Sequence, residues 1–291
     1  MAQSSFPGRL AAFHKGLAEG GFVDGKNIVI ETRWADGDYS RLPALAAELV
    51  NKKVAVLATA GGAASGLAAK AATASIPVVV LAGADFVQVG LVASLNRPGG
   101  NVTGISQLVD DLGPKRLEIL REMKSGITSV AFLVNPEGPS SNAQIALVQQ
   151  AGATVGCKIT VLKAANTAGI DAAFTLLTRN RSHAVLINAD PVFDGQLALI
   201  VARVARLGIP AIYGARDYVA AGGLLSYGVN FDDTYRQSGA YVARILKGDK
   251  PADLPVTLPT KYEMALNLKT VKALRLKVPE SVLLRTTEII E

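Results

Sequence analysis

Short apolar runs rich in Val, Ile and Leu alternate along this chain with longer segments whose apolar residues recur three and four positions apart. The first pattern predicts strands and the second amphipathic helices. Strands are expected at residues 27–33, 54–58, 78–81, 102–105, 130–134, 159–162, 184–188, 211–213, 224–227 and 262–266. Helices are expected at 10–19, 41–51, 63–74, 114–123, 143–151, 170–178, 195–206 and 233–246, with Ser40 and Asn166 placed as N-caps. Such repeated alternation predicts an α/β protein built from parallel, doubly wound sheets. No stretch rich in Ser, Gly or Pro divides the chain, so two lobes would be joined by short strands rather than by a flexible tether.

Composition narrows this reading. With 291 residues the chain has the length of two ordinary domains, and 49% hydrophobic against 5% aromatic residues suits parallel α/β layers better than a β-sandwich. The formal charge of +6 is spread thinly: no run of Lys and Arg exceeds two residues, as at Lys52-Lys53, so nucleic acid is not an expected partner. A lone cysteine, Cys157, excludes an internal disulfide and reads as a small buried filler. No apolar run reaches the length that spans a bilayer. The start, from Met1 to Arg9, lacks a basic region followed by an apolar one, so no secretion signal is read there. Either the protein stays inside the cell or its natural start lies elsewhere.

In open α/β sheets, ligands bind beyond the carboxyl ends of the strands, where strand order reverses. That rule selects Thr59, Gly61 and Gly62 after the run at 54–58, where a helix start offers free N–H groups to an anion. It also selects Asp85 and Phe86, then Asn135, Ser140 and Ser141, then Asp190, and finally Tyr213 and Arg216. An amino acid fits the set: its carboxylate on Gly61 and Gly62, its ammonium on Asp85 or Asp190, its side chain between Phe86 and Tyr213. The competing reading makes Thr59, Ser141 and Asn142 helix caps and Asp190-Pro191 a turn. Trp34 either packs a loop or stacks on ligand.

Enzymatic signals are weak. Gly61-Gly62-Ala63-Ala64-Ser65-Gly66 lacks the middle glycine of a dinucleotide fingerprint, and Leu67 stands where a P-loop needs Lys. His14 and His183 are the only histidines, no nucleophile elbow is found, and no set of residues has metal-ligand spacing, so neither catalysis nor a cofactor is expected.

Two longer segments carry a family signature. Residues 88–104, QVGLVASLNRPGGNVTG, run from an apolar turn through Pro98, Gly99 and Gly100 into a brief strand; residues 213–228, YGARDYVAAGGLLSYG, place a helical turn and a double-glycine break between two strands. With Trp34-Ala35-Asp36-Gly37, 41–46 (RLPALA) and 259–263 (PTKYE), they resemble the substrate-binding proteins of a bacterial ABC transporter family with the type I periplasmic-binding-protein fold. The resemblance implies two Rossmann-like lobes joined by a hinge, residues 1–110 plus 225–258 in lobe one and 111–224 plus 259–291 in lobe two. It implies a non-enzymatic solute-binding protein outside the cytoplasm, closing on an amino acid or aromatic carboxylate and delivering it to a membrane permease. A cytoplasmic ligand sensor on the same fold is the alternative. Members of the family begin with a strand ahead of the first helix, and none precedes residue 10 here. The first sheet is therefore expected to carry a gap, covered by another segment or by self-association with a second copy. Phe86 stands where the family usually has Pro.

Overall fold

The computed structural model describes residues 7–291. The reading of residues 1–6 as free of a secretion signal lies outside them. In chain order the elements are α1 (Pro7–Glu19), α2 (Leu42–Asn51), β1 (Leu57–Thr59), α3 (Gly62–Ala72), β2 (Val78–Ala82), β3 (Val102–Ser106), α4 (Gly113–Met123), β4 (Ser129–Val134), α5 (Ser141–Thr154), β5 (Lys158–Lys163) and α6 (Thr167–Asn180). They continue with β6 (Ala184–Ile187), α7 (Pro191–Gly195), α8 (Leu197–Leu207), β7 (Ala211–Tyr213), α9 (Arg216–Ala220), β8 (Leu225–Val229), α10 (Phe231–Leu246), β9 (Tyr262–Asn267), α11 (Leu268–Ala273), α12 (Glu280–Arg285) and β10 (Glu288–Ile290).

The chain divides into two compact units, residues 1–108 with 230–260 and residues 109–229 with 261–291. β8 pairs with β7 and β9 of the second unit, so residues 225–229 belong there and the chain re-enters the first unit at Asn230 rather than at Leu225.

In the first unit a parallel sheet of order β1-β2-β3 has helices on both faces. Alternation along β2 sorts its residues between two layers. Val78 and Val80 pack with Leu57, Ala63 and Ala69, whereas Val79 packs with Leu17, Val242 and Ala243 of α1 and α10. Residues 27–33, expected as a strand, form none; their sole bridge joins Ile28 to Asp24, because no neighbouring strand supplies a ladder. Ser40 is not a cap. Asp38 is, accepting from the Ser40 N–H at the head of a short 3-10 turn, while Asn166 caps α6 by accepting from Gly169.

The second unit has seven strands, ordered β10-β9-β8-β7-β6-β4-β5, parallel except where β8 meets β9. Its central strands are almost wholly buried on both faces, which explains their uninterrupted apolar runs. The strand β10 and the short helices α11 and α12 escaped the sequence reading, since three to six residues are too few for a period to show. Strand order reverses around β4, which lies between β5 and β6 although β5 follows it in sequence. The loops after β4 and β6 consequently diverge from a common crevice.

Candidate functional site

A buried polar network surrounds that switch point in the second unit. After β4, Asn135 donates from Nδ2 to Oδ1 of Asp190 (3.1 Å) and accepts at its own Oδ1 from the Glu137 N–H. The Ser141 hydroxyl donates to the Asn135 carbonyl, and the Ser140 hydroxyl donates to Oδ2 of Asp110 while accepting from Nε2 of Gln144 at 2.7 Å. Gln144 in turn accepts from Nδ2 of Asn188, the residue that follows β6. Each side chain is thus held in one orientation by a partner.

Two carboxyl groups in this network sit away from water. Burial is the largest influence on Asp190 and pushes its pKa up to about 6, against the opposing bonds from the Val192 N–H and from Asn135. Burial likewise raises that of Asp110, opposed by Ser140, Gln144 and the Arg116 charge. Arg116 is fully buried on α4, donating from Nε to the Tyr227 carbonyl (2.8 Å) and from Nη1 to the Val109 carbonyl, and burial lowers its pKa to about 10. It remains a cation at neutral pH. A Cβ on Gly214 would lie 3.2 Å from Nη2 of Arg116, so glycine there leaves room for the guanidinium.

The expected site residues separate into three groups. Asn135, Ser140, Ser141 and Asp190 come together in the network just described. Asp190 also caps α7, accepting from Val192, so the turn and the site are served by one residue. Thr59 and Gly61 belong to the first unit, at the carboxyl end of β1, where they line a cavity of about 540 Å³ that also includes Trp34. The Thr59 hydroxyl is buried without a hydrogen-bond partner. The Gly61 N–H is already bonded to the Ser65 hydroxyl, and Gly62 adopts a positive φ of 76° to open α3. Asp85, elsewhere in that unit, accepts at Oδ1 from the Val87 and Gln88 N–H groups and so closes its own turn.

The remaining three depart from expectation. Phe86 is fully buried in the first unit's core, packed among residues such as Val80 and Leu91, because the turn that Asp85 closes folds it inward. Tyr213 is fully buried as well, its ring stacked on Tyr218 with centroids 4.7 Å apart. Neither ring is positioned to flank a ligand. Arg216 pairs through two nitrogens with Glu288 and ties α9 to β10. That pair raises the Arg216 pKa and lowers that of Glu288.

Asp110, Arg116, Gln144 and Asn188 were not anticipated as members. Two of them left a trace: Arg116 precedes Leu120 and Met123 by four and seven positions, and Gln144 precedes Val148 by four, so both polar residues lie on the buried stripe of a helix. Such a placement requires buried partners. Among the described residues no group of three or more His, Cys, Asp and Glu is arranged to hold a metal ion, and no helix is long and apolar enough to cross a membrane. Cys157 is buried and burial raises its pKa, as befits a filler. The arrangement offers fixed hydrogen-bonding groups and a carboxylate; it is suited to holding a small polar solute.

Comparison with known proteins gives a consistent result. The family model described as ABC transporter substrate binding protein matches residues 5–290. A tyrosine-binding protein of Clostridioides difficile is 27% identical over 263 residues, covering 90% of this chain and 75% of that protein. Among solved structures, a conserved domain protein of Vibrio cholerae O1 biovar El Tor superposes with a TM-score of 0.87 at 26% identity, covering 97% of this chain and 95% of the other. A Streptococcus pneumonia ABC domain in complex with L-tryptophan also gives 0.87, at 24% identity, with 100% and 98% covered.

Proposed function

Because the chain belongs to the ABC transporter substrate-binding protein family, we propose that it is the extracytoplasmic component of an importer and that its cargo is an amino acid with an aromatic side chain. The observation that carries the ligand class is Asp190, a buried carboxyl group oriented by Asn135 at the switch point of the second sheet. A buried carboxylate is a strong acceptor, and an α-ammonium group brings a positive charge together with donors for charge-assisted hydrogen bonds. Asp85 is the weaker candidate, since it is only partly buried and its carboxylate closes an exposed turn. The aromatic preference is supported by two similar proteins, one a tyrosine-binding protein and the other solved in complex with L-tryptophan.

In this reading Asp190, Asn135 and Ser141 hold the ligand, which favours the binding-competent state by its differential affinity. The permease partner then receives the closed form, and no covalent step is involved. Isothermal titration of the full chain with tyrosine, tryptophan, leucine and benzoate tests the proposal. Saturable binding of an aromatic amino acid is expected, at least tenfold tighter than benzoate, which lacks the ammonium group; that ratio corresponds to about 1.4 kcal/mol. Asp190→Asn should remove the preference, whereas Asp85→Asn should leave it. Equal binding of benzoate by the unaltered protein defeats the assignment.

A further inference from the structure

From Met264 to Pro279 the chain carries no acidic residue, and within that stretch Lys269, Lys272, Arg275 and Lys277 add four positive charges to a protein whose net charge is +6. Packing fixes which way they point. Val271 is buried in the second unit's core, and Leu268, Leu274, Leu276 and Val278 pack against that same core. The four cations occupy the positions between these anchors, and all are exposed. In α11, Lys269 and Lys272 stand three residues apart on one side of the helix; from Leu274 to Val278 inward and outward residues alternate as in an extended segment. One layer of chain thus turns its apolar side to the core and its positive side to solvent.

Little neutralises this charge. Lys269 donates from Nζ to the Glu291 carbonyl (2.7 Å), while Lys272, Arg275 and Lys277 form no salt bridge with a described residue. Glu280 borders the layer at the start of α12, but Glu122 is taken by Arg285 and Ser281, and Glu288 by Arg216. The backbone adds a second observation. The Leu276 N–H donates to the Val271 carbonyl (3.0 Å) at the end of α11, and Arg275, just before it, has a φ of 52°. This is the position after a helix where glycine is usual, because a side chain there is strained. An arginine held in a strained conformation points to a use for its side chain outside the fold.

Apolar side chains continue the layer. α12 is anchored in the same core through Val282 and leaves Leu284 81% exposed, more than any other large hydrophobic residue described in the second unit. An acidic protein partner would need its charges matched to fixed positions, whereas Lys272, Arg275 and Lys277 are free to move on long stems. A fluid sheet of anionic headgroups asks only for charge density, and it admits a leucine between headgroups. We propose that α11, the segment 274–279 and α12 form a docking surface for an anionic lipid bilayer, with Lys269, Lys272, Arg275 and Lys277 over the headgroups and Leu284 entering the interface. The surface is independent of the solute reading above.

The test uses the full chain and sedimented vesicles of phosphatidylcholine alone or mixed equally with phosphatidylglycerol. Partitioning onto the anionic vesicles should exceed that onto phosphatidylcholine about tenfold or more, and should fall as salt is raised to about 0.5 M. Lys272→Glu with Lys277→Glu should lower it about tenfold. Lys26→Glu with Lys53→Glu, which removes as much charge from exposed sites of the first unit, should change it little. Arg275→Gly should weaken vesicle binding while its urea midpoint stays unchanged or rises, because glycine relieves the backbone. An environment-sensitive label on Leu284→Cys, in a Cys157→Ala background, should shift to the blue on anionic vesicles. Failure to bind them at low salt, equal binding to both vesicle types, or an equal loss from the two charge-reversed pairs overturns the proposal. An unshifted label together with equally tight binding of soluble polyglutamate assigns the surface to an acidic macromolecule instead.

Discussion

Asp190 is a buried group that links stability to pH. Its folded pKa of about 6 stands above the 3.8 of an ordinary aspartate, so the folded state holds its proton more tightly than the unfolded chain. The contribution to stability is therefore full below about pH 4 and is lost as pH rises through 6. The loss is on the order of 2–3 kcal/mol by linkage. Asp190→Asn keeps the acceptor for Asn135 and Val192 and cannot ionise, so its stability relative to the unaltered protein should rise by that amount between pH 4 and 7, measured by urea unfolding. Under the proposed function an ammonium ligand requires the carboxylate, and affinity should fall about tenfold per pH unit below 6, a slope that Asp190→Asn abolishes. Absence of that slope would remove Asp190 from the site. Of the residues involved, Asn135, Ser140, Ser141 and Asp190 were legible from their place after strands. Phe86 and Tyr213 were misread at the same scale, because a strand-end position does not reveal which way a ring turns.

Among the elements, the pairing of α1 with α10 carries the first unit's outer layer. Their backbones approach so closely that a Cβ on Gly16 would lie 1.9 Å from the Arg236 carbonyl oxygen, and one on Gly239 would lie 2.1 Å from that of Phe13. Gly239→Ala should separate the helices and cost about 1–3 kcal/mol, seen as a lowered urea midpoint with an unchanged slope. An alanine that stabilised the protein through its better helix propensity would show that the contact yields. Helices α1, α2 and α10 were each readable from apolar spacing, yet nothing in that spacing told which pair would meet. Segment 28–33 makes the complementary point: its β-branched pattern, Ile28-Val29-Ile30, fits a strand, and without a neighbour the pattern produced none.

At the scale of the whole molecule the two units differ in how completely they are filled. The second has a seven-stranded sheet whose interior strand β4 is buried along nearly its whole length; the first has a three-stranded sheet with an exposed residue in its edge strand. Local opening draws on elements with few buried contacts. Amides of β1 should accordingly exchange with solvent faster than those of β4, by at least tenfold in native-state exchange, and calorimetry should resolve an earlier transition belonging to the first unit. A single transition with uniform protection would mean that the smaller sheet does not weaken its unit.

The sequence by itself determined the element types, the α/β class and the family, because strand and helix periods are local properties and the signatures at 88–104 and 213–228 are contiguous. Only the tertiary structure decided that Arg116, Gln144 and Asn188 join Asp110 and Asp190 in one network, and that Asp190 is buried while Asp85 is only partly so. Burial and convergence depend on residues far apart in the chain, and no local pattern carries them.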